Sequence, residues 1–293
     1  MMIPSRVENS PSDQGNLNKA NSHLLDALIF AKVPGENTLP LPSTSTDYAR
    51  RYLMVALVEN FPLAQRAWEA GGLVANREHH NIIEHQVTVG LVGYILAIDA
   101  GYTGAMDNLV NALLAHDADR IIEADALQKA AEKAQRKKSL GIQNATGTLY
   151  AKNLFLAPIM GETVAQLAKA VVPNSPEGWD DLAYKIMHLA DALCDGSIIT
   201  HPAERAKRAA GVTGSRRSGI VTVRDAAHEK RLGMAPGEYR KLQVTLALKE
   251  AEEIISLIQA NHPESHAVLH TVTDLPAYIT KRIEEEGLSL LVS

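Results

Sequence analysis

From residue 46 onward apolar side chains recur every three or four positions in long runs, and strand-like alternation is scarce. That period is the signature of helices with one buried face. Asp47–Ala70 carries Tyr52, Val55, Ala56, Phe61 and Leu63 between charges and is closed by Gly71-Gly72, which predicts one long helix. Asn81–Ala100 is apolar over most of its surface, as a buried helix is, and Gly101 and Gly104 follow it. Leu109–Ala115 predicts a second apolar helix, running through an acidic segment into a charged helix at Ala124–Leu140. Thr148–Val171 predicts another, stopped by Pro173, Pro176 and Gly178, and Trp179–Asp195 one more with a single apolar face. Tyr239–Ala260 reads as a long helix between Pro236-Gly237 and His262-Pro263, and Pro276–Glu286 as a short last one. Residues 201–231 turn basic and glycine-punctuated and read as a loop. The fold class expected is all-α.

Three polar intrusions interrupt the apolar faces. His85 shares a helical stripe with Ile82, Val89, Val92 and Leu96. The pair His116-Asp117 ends the run LVNALLAHD, aligned with Leu109, Val110 and Leu113. Asp191 lies in YKIMHLADALCD on the face of Tyr184 and Met187. A single histidine on such a face is usually a core residue bonded to backbone. A single carboxylate there costs several kcal/mol unless it is paired, and a salt bridge suffices for one. Two imidazoles and two carboxylates aimed inward together are satisfied by one divalent cation.

Composition narrows the chemistry further. The 293 residues hold 29 Lys+Arg against 34 Asp+Glu, a net charge of −5, with 46% hydrophobic and 22% charged residues. That is ordinary globular composition, and its mild acidity argues against a duplex-nucleic-acid partner. The eight basic and three acidic residues of 201–231 nevertheless leave room for a small anionic ligand. One cysteine, Cys194, allows no internal disulfide and no thiolate-rich metal cluster, so any ion here must be held by His, Asp and Glu. The most apolar stretch, Val87–Ile98, is twelve residues long, too short to span a bilayer. No signal-peptide pattern opens the chain, and the expectation is a cytoplasmic protein with no membrane partner. Neither a Gly-x-Ser-x-Gly elbow nor a phosphate-binding glycine loop ending in Lys-Ser/Thr occurs.

The order His85, then adjacent His116-Asp117, then distant Asp191, each in the contexts EHQVTVGLVGYILA, NALLAHDAD and KIMHLADALCD, resembles the HD superfamily of metal-dependent phosphohydrolases over roughly residues 77–196. The resemblance implies that His85, His116, Asp117 and Asp191 hold one divalent ion, Mn, Fe, Co or Mg. It implies metal-activated water attacking the phosphorus of a small phosphorylated substrate such as a nucleotide. Relatives such as the 5′-deoxynucleotidases and the guanosine tetraphosphate hydrolases often carry Glu three residues after the Asp. Here that position is Arg120, which leaves Asp119, Glu123 or Asp125 to supply the catalytic acid. The substrate contacts expected are Arg77, Lys185, Arg216 and Arg217. His188 reads as a core or pocket histidine, and with it alone between the two motifs a single ion is expected.

The domain organisation expected is a loosely docked tail at 1–45, an HD-type metal-binding helical core at 46–210, and a basic loop with a C-terminal helical extension packed on that core at 211–293. Two rival readings stand beside the enzyme. One is a nucleotide-binding sensor with little or no turnover, which Arg120 favours. The other is a scaffold whose Leu242, Leu246, Leu248, Ile254, Ile255 and Ile258 line a homo-oligomer face.

Overall fold

A computed structural model describes residues 45–71, 82–119, 152–173, 175, 177–211 and 216–292. Over those residues the protein is all-α, with eleven α-helices and one short hairpin. They are α1 Ser45–Asn60, α2 Pro62–Ala70, α3 Ile82–Asp99, α4 Met106–Ala115, α5 Lys152–Met160, α6 Glu162–Ala168, α7 Leu182–Leu193, α8 Pro202–Gly211, α9 Arg216–Leu232, α10 Glu238–Asn261 and α11 Leu275–Val292. Strands β1 Cys194–Asp195 and β2 Ile198–Ile199 pair antiparallel between α7 and α8, with Cys194 opposite Ile199. The expected tail at 1–45, apart from Ser45 at the start of α1, and the charged helix 124–140 lie outside the described residues.

Helix α3 is the hub, packed by α1, α4, α7, α10 and α11. A helix covered on every side needs no polar face, and α3 buries Val87, Val89, Leu91, Val92, Ile95 and Leu96. By length and composition its eighteen residues could cross a membrane; 78% of them are buried inside the molecule, as in the core helix of a globular fold. Of the polar residues that α3 buries, Thr88 is satisfied within the helix, its Oγ1 donating to the Glu84 carbonyl at 2.8 Å. Its last residue, Asp99, is fully buried and accepts from Tyr278 Oη at 2.9 Å and from Arg282 Nε at 2.9 Å and Nη2 at 3.1 Å. A carboxylate at a helix C-terminus opposes the dipole, and the guanidinium of α11 offsets that.

Several boundaries differ from the periodicity, each for a local reason. The stretch 47–70 is two helices, because Pro62 has no amide proton to continue α1 and instead opens α2 at its first position. The stretch 148–171 is also two, divided at Gly161, whose φ of 85° is left-handed. Residues 201–231, expected as a loop, are largely helical: α8 and α9 occupy them. Pro202 begins α8, and His201 Nδ1 caps it by accepting from the Ala203 amide at 3.2 Å. Five of the six apolar residues suggested for an oligomer face pack within this chain. Leu246, Ile254, Ile255 and Ile258 are buried in the same core as α3 and α4, and Leu248 packs against it.

Candidate metal centre

The helices bring one polar cluster together where α3, α4 and α7 meet the hairpin. His85 sits in the first turn of α3, His116 caps the C-terminus of α4, and Asp191 is the third residue from the end of α7. His85 Nε2 lies 3.3 Å and His116 Nε2 3.6 Å from the same oxygen, Asp191 Oδ1. One donor atom from each of the three falls within 4.8 Å of the others. The rings are edge-on, with centroids 5.4 Å apart. Asp117 stands at the margin, its Oδ2 3.9 Å from His116 Nε2, and its amide donates to Gln86 Oε1 at 3.3 Å.

The other ring nitrogens decide the chemistry of this set. His85 Nδ1 is 3.1 Å from the Gly196 carbonyl and His116 Nδ1 is 2.7 Å from the Leu113 carbonyl. A carbonyl oxygen only accepts, so both Nδ1 atoms carry the proton and donate it. In the neutral imidazole Nε2 then presents a lone pair. Two lone pairs aimed at a carboxylate oxygen repel unless a positive centre lies among them. A divalent cation relieves the same repulsion with both rings neutral, and backbone-anchored Nδ1 with outward Nε2 is how metal-ligating histidines are oriented. The donor set therefore fits a divalent cation.

Supports for these side chains come from elements that sequence reasoning passed over. The Gly196 carbonyl that holds His85 belongs to the hairpin turn, and Arg50 Nη2 of α1 pins that turn by donating to the Ser197 carbonyl at 2.6 Å. The end of α4 is fixed by α2. Trp68 Nε1 donates to the Leu114 carbonyl at 2.7 Å, and Gly71 lies so close that an added Cβ would be 1.8 Å from the Ala118 carbonyl oxygen. Arg205 of α8 was missed entirely. Its Nη2 donates to Asp191 Oδ1 at 2.9 Å and its Nη1 donates to the Asp191 carbonyl. Burial opposes ionisation of Asp191, but the Arg205 guanidinium and the facing His116 and His85 rings together outweigh it and hold the carboxyl well below the usual range.

The remaining expected site residues divide as follows. Asp119 is buried in the turn after α4, two residues beyond Asp117. Glu123, Asp125, Arg120 and Arg77 lie outside the described residues, as do the side chains of Arg216 and Arg217 at the start of α9. Lys185 is not directed at the cluster: its Nζ donates to Glu253 Oε2 at 2.6 Å. One turn further along α7, His188 Nδ1 meets Glu250 Oε2 at 2.6 Å, and both side chains are buried. The pairs 185–253 and 188–250 run in opposite order, so α7 and α10 are antiparallel, and this polar seam joins them. His188 is thus a core histidine with a carboxylate partner. No protein-family model, no curated protein and no solved structure matches this chain.

Proposed function

We propose that the chain is an HD-type metal-dependent phosphohydrolase that cleaves a phosphoester of a nucleotide or similar small phosphorylated metabolite. The observation that carries the reading is the convergence of His85 Nε2, His116 Nε2 and Asp191 Oδ1, with both Nδ1 atoms donating to backbone carbonyls. These three side chains, with Asp117 at their margin, would hold one divalent ion. Bound there, the ion supplies Lewis acidity toward a phosphoryl oxygen and an activated water. The protein's own part is to keep both imidazoles in the Nδ1–H form and to exclude bulk water behind His116, which is only 1% exposed. Asp119, Glu123 or Asp125 would manage the leaving-group proton. Arg77, Arg216 and Arg217 are the further phosphate contacts proposed, while Lys185 serves the α7–α10 seam.

A nucleotide-binding sensor is the competing reading, and it is favoured by one feature, Arg120 where an acid is expected. The deciding experiment pairs metal binding with turnover. Purified protein is titrated with Mn²⁺, Fe²⁺, Co²⁺ and Mg²⁺ and assayed on nucleotides and nitrophenyl phosphoesters. The expected result is about one ion per chain, phosphate release, and an ion affinity lowered about 100-fold by His116→Asn or Asp191→Asn. Ion binding with tight nucleotide binding and no phosphate release supports the sensor. Failure of the wild-type chain to take up any of the four ions overturns both.

A further inference from the structure

We propose that Arg205 is the anion-binding cation of this centre and that it trades places with the metal ion at Asp191 Oδ1. The inference rests on the metal-dependent reading above and concerns a residue outside the ligand set. Arg205 holds Asp191 by two separate bonds. Nη2 donates to Oδ1 at 2.9 Å, and Nη1 donates to the main-chain carbonyl of the same residue. Oδ1 is also the oxygen that lies 3.3 Å from His85 Nε2 and 3.6 Å from His116 Nε2. The guanidinium thus supplies the positive charge at the point where the two imidazoles and the carboxylate converge.

A single carboxylate oxygen cannot keep a dication and a guanidinium at bonding distance without strong like-charge repulsion. The ion therefore displaces Nη2 from Oδ1. It has no claim on the main-chain carbonyl, so Nη1 keeps its partner and the arginine stays at the centre. The displaced Nη2 is then an unspent, charged donor beside a cation, which is a place for an anion that bridges the two. A planar fork with one arm anchored suits the oxygens of a phosphoryl group, and a lysine ammonium has no such geometry. Placement is rigid, because α8 starts at Pro202 immediately after the hairpin, with His201 capping it at 3.2 Å. The side chain is 28% exposed, so it faces solvent from which an anion arrives while its inner contacts are sheltered. The helix continues to Arg208, whose Nη1 donates to Asp195 Oδ2 at 3.3 Å on the exposed rim.

The test uses the full-length chain with two probes, Mn²⁺ alone and inorganic phosphate added to the Mn²⁺-loaded protein. Free Mn²⁺ is counted by its paramagnetic resonance signal and phosphate by calorimetry. In Arg205→Met the ion no longer competes with a guanidinium, so Mn²⁺ binds about tenfold tighter while phosphate binds about tenfold more weakly. Arg205→Lys retains a competing charge without the fork, so it shows the phosphate loss and little of the Mn²⁺ gain. Thermal unfolding of each ion-free variant checks that it folds; if Arg205→Met does not, Arg205→Gln carries the same comparison. Wild-type binding of Mn²⁺ with neither constant moved in these variants overturns the role of Arg205 and leaves the metal reading standing. Weaker Mn²⁺ binding in Arg205→Met also overturns the exchange, making Arg205 a support of Asp191 only. A wild-type chain that binds no Mn²⁺ overturns the metal reading and this inference together.

Discussion

At the scale of single residues, the environment of each side chain settles what its chemistry can be. Cys194 is the clearest case. It is fully buried where α7 runs into the hairpin, and burial pushes its thiol far above the ordinary value of 9.0. The thiolate is the reactive form, so the folded protein should resist alkylation. Iodoacetamide at pH 8 is expected to modify Cys194 no faster than the chain unfolds, and rapidly in denaturant; fast labelling of native protein would contradict this burial. The same principle separates the histidines. His188 points a ring nitrogen at Glu250 and is thereby held in the core, whereas His85 and His116 spend theirs on backbone carbonyls and turn the other nitrogen toward Asp191.

At the scale of elements, the candidate centre depends on how the ends of helices are held. The C-terminus of α4, which carries His116 and Asp117, is gripped from α2 by the Trp68 hydrogen bond and by the backbone approach at Gly71. Gly71 has an ordinary right-handed φ of −78°, so space and not backbone freedom requires glycine there. Gly71→Ala would drive its methyl into the Ala118 carbonyl, a backbone group that cannot rotate away. We expect a loss of about 1–3 kcal/mol in denaturant unfolding together with weaker Mn²⁺ binding. Gly161→Ala is the control: nothing lies within 4 Å of its added Cβ, and the positive φ of 85° at a ψ of 159°, a region essentially reserved to glycine, costs about 1–3 kcal/mol with Mn²⁺ binding untouched. If Gly71→Ala proves as stable as wild type, the α2 grip is not what fixes the His116-Asp117 turn.

At the scale of the whole molecule, first and last described helices are joined through the hub. Helix α11 packs most extensively on α1 and reaches α3 through Asp99, which Tyr278 and Arg282 hold from the far end of the chain. Removing the guanidinium leaves a buried carboxylate with Tyr278 and, at 3.9 Å, His262 Nε2 as its remaining polar neighbours among the described residues. Arg282→Ala is expected to cost about 3–5 kcal/mol of global stability by denaturant unfolding. Asp99→Asn should cost less, because a neutral amide tolerates the site without its charge partner. Equal losses for the two variants, or none, would show that this cluster does not tie the C-terminal helix to the core.

The sequence by itself determined the helical class and the stripes on α3, α4 and α7 that turn His85, His116 and Asp191 inward, because a 3.6-residue period is a local property of the chain. It also pointed away from disulfide chemistry and toward His and carboxylate donors. It did not foretell that Lys185 turns to Glu253, that 201–231 folds into α8 and α9, or that Arg205 meets Asp191 fourteen residues away. A polar helix on the surface has little apolar period to read, and its signals here are modest: Pro202 at its start and a histidine cap before it. Which nitrogen of each imidazole faces the cluster depends on carbonyls at Gly196 and Leu113, and the first of these is 111 residues from His85. Contacts at such separations are set by packing around α3, which no local pattern encodes, and so the tertiary structure alone decided them.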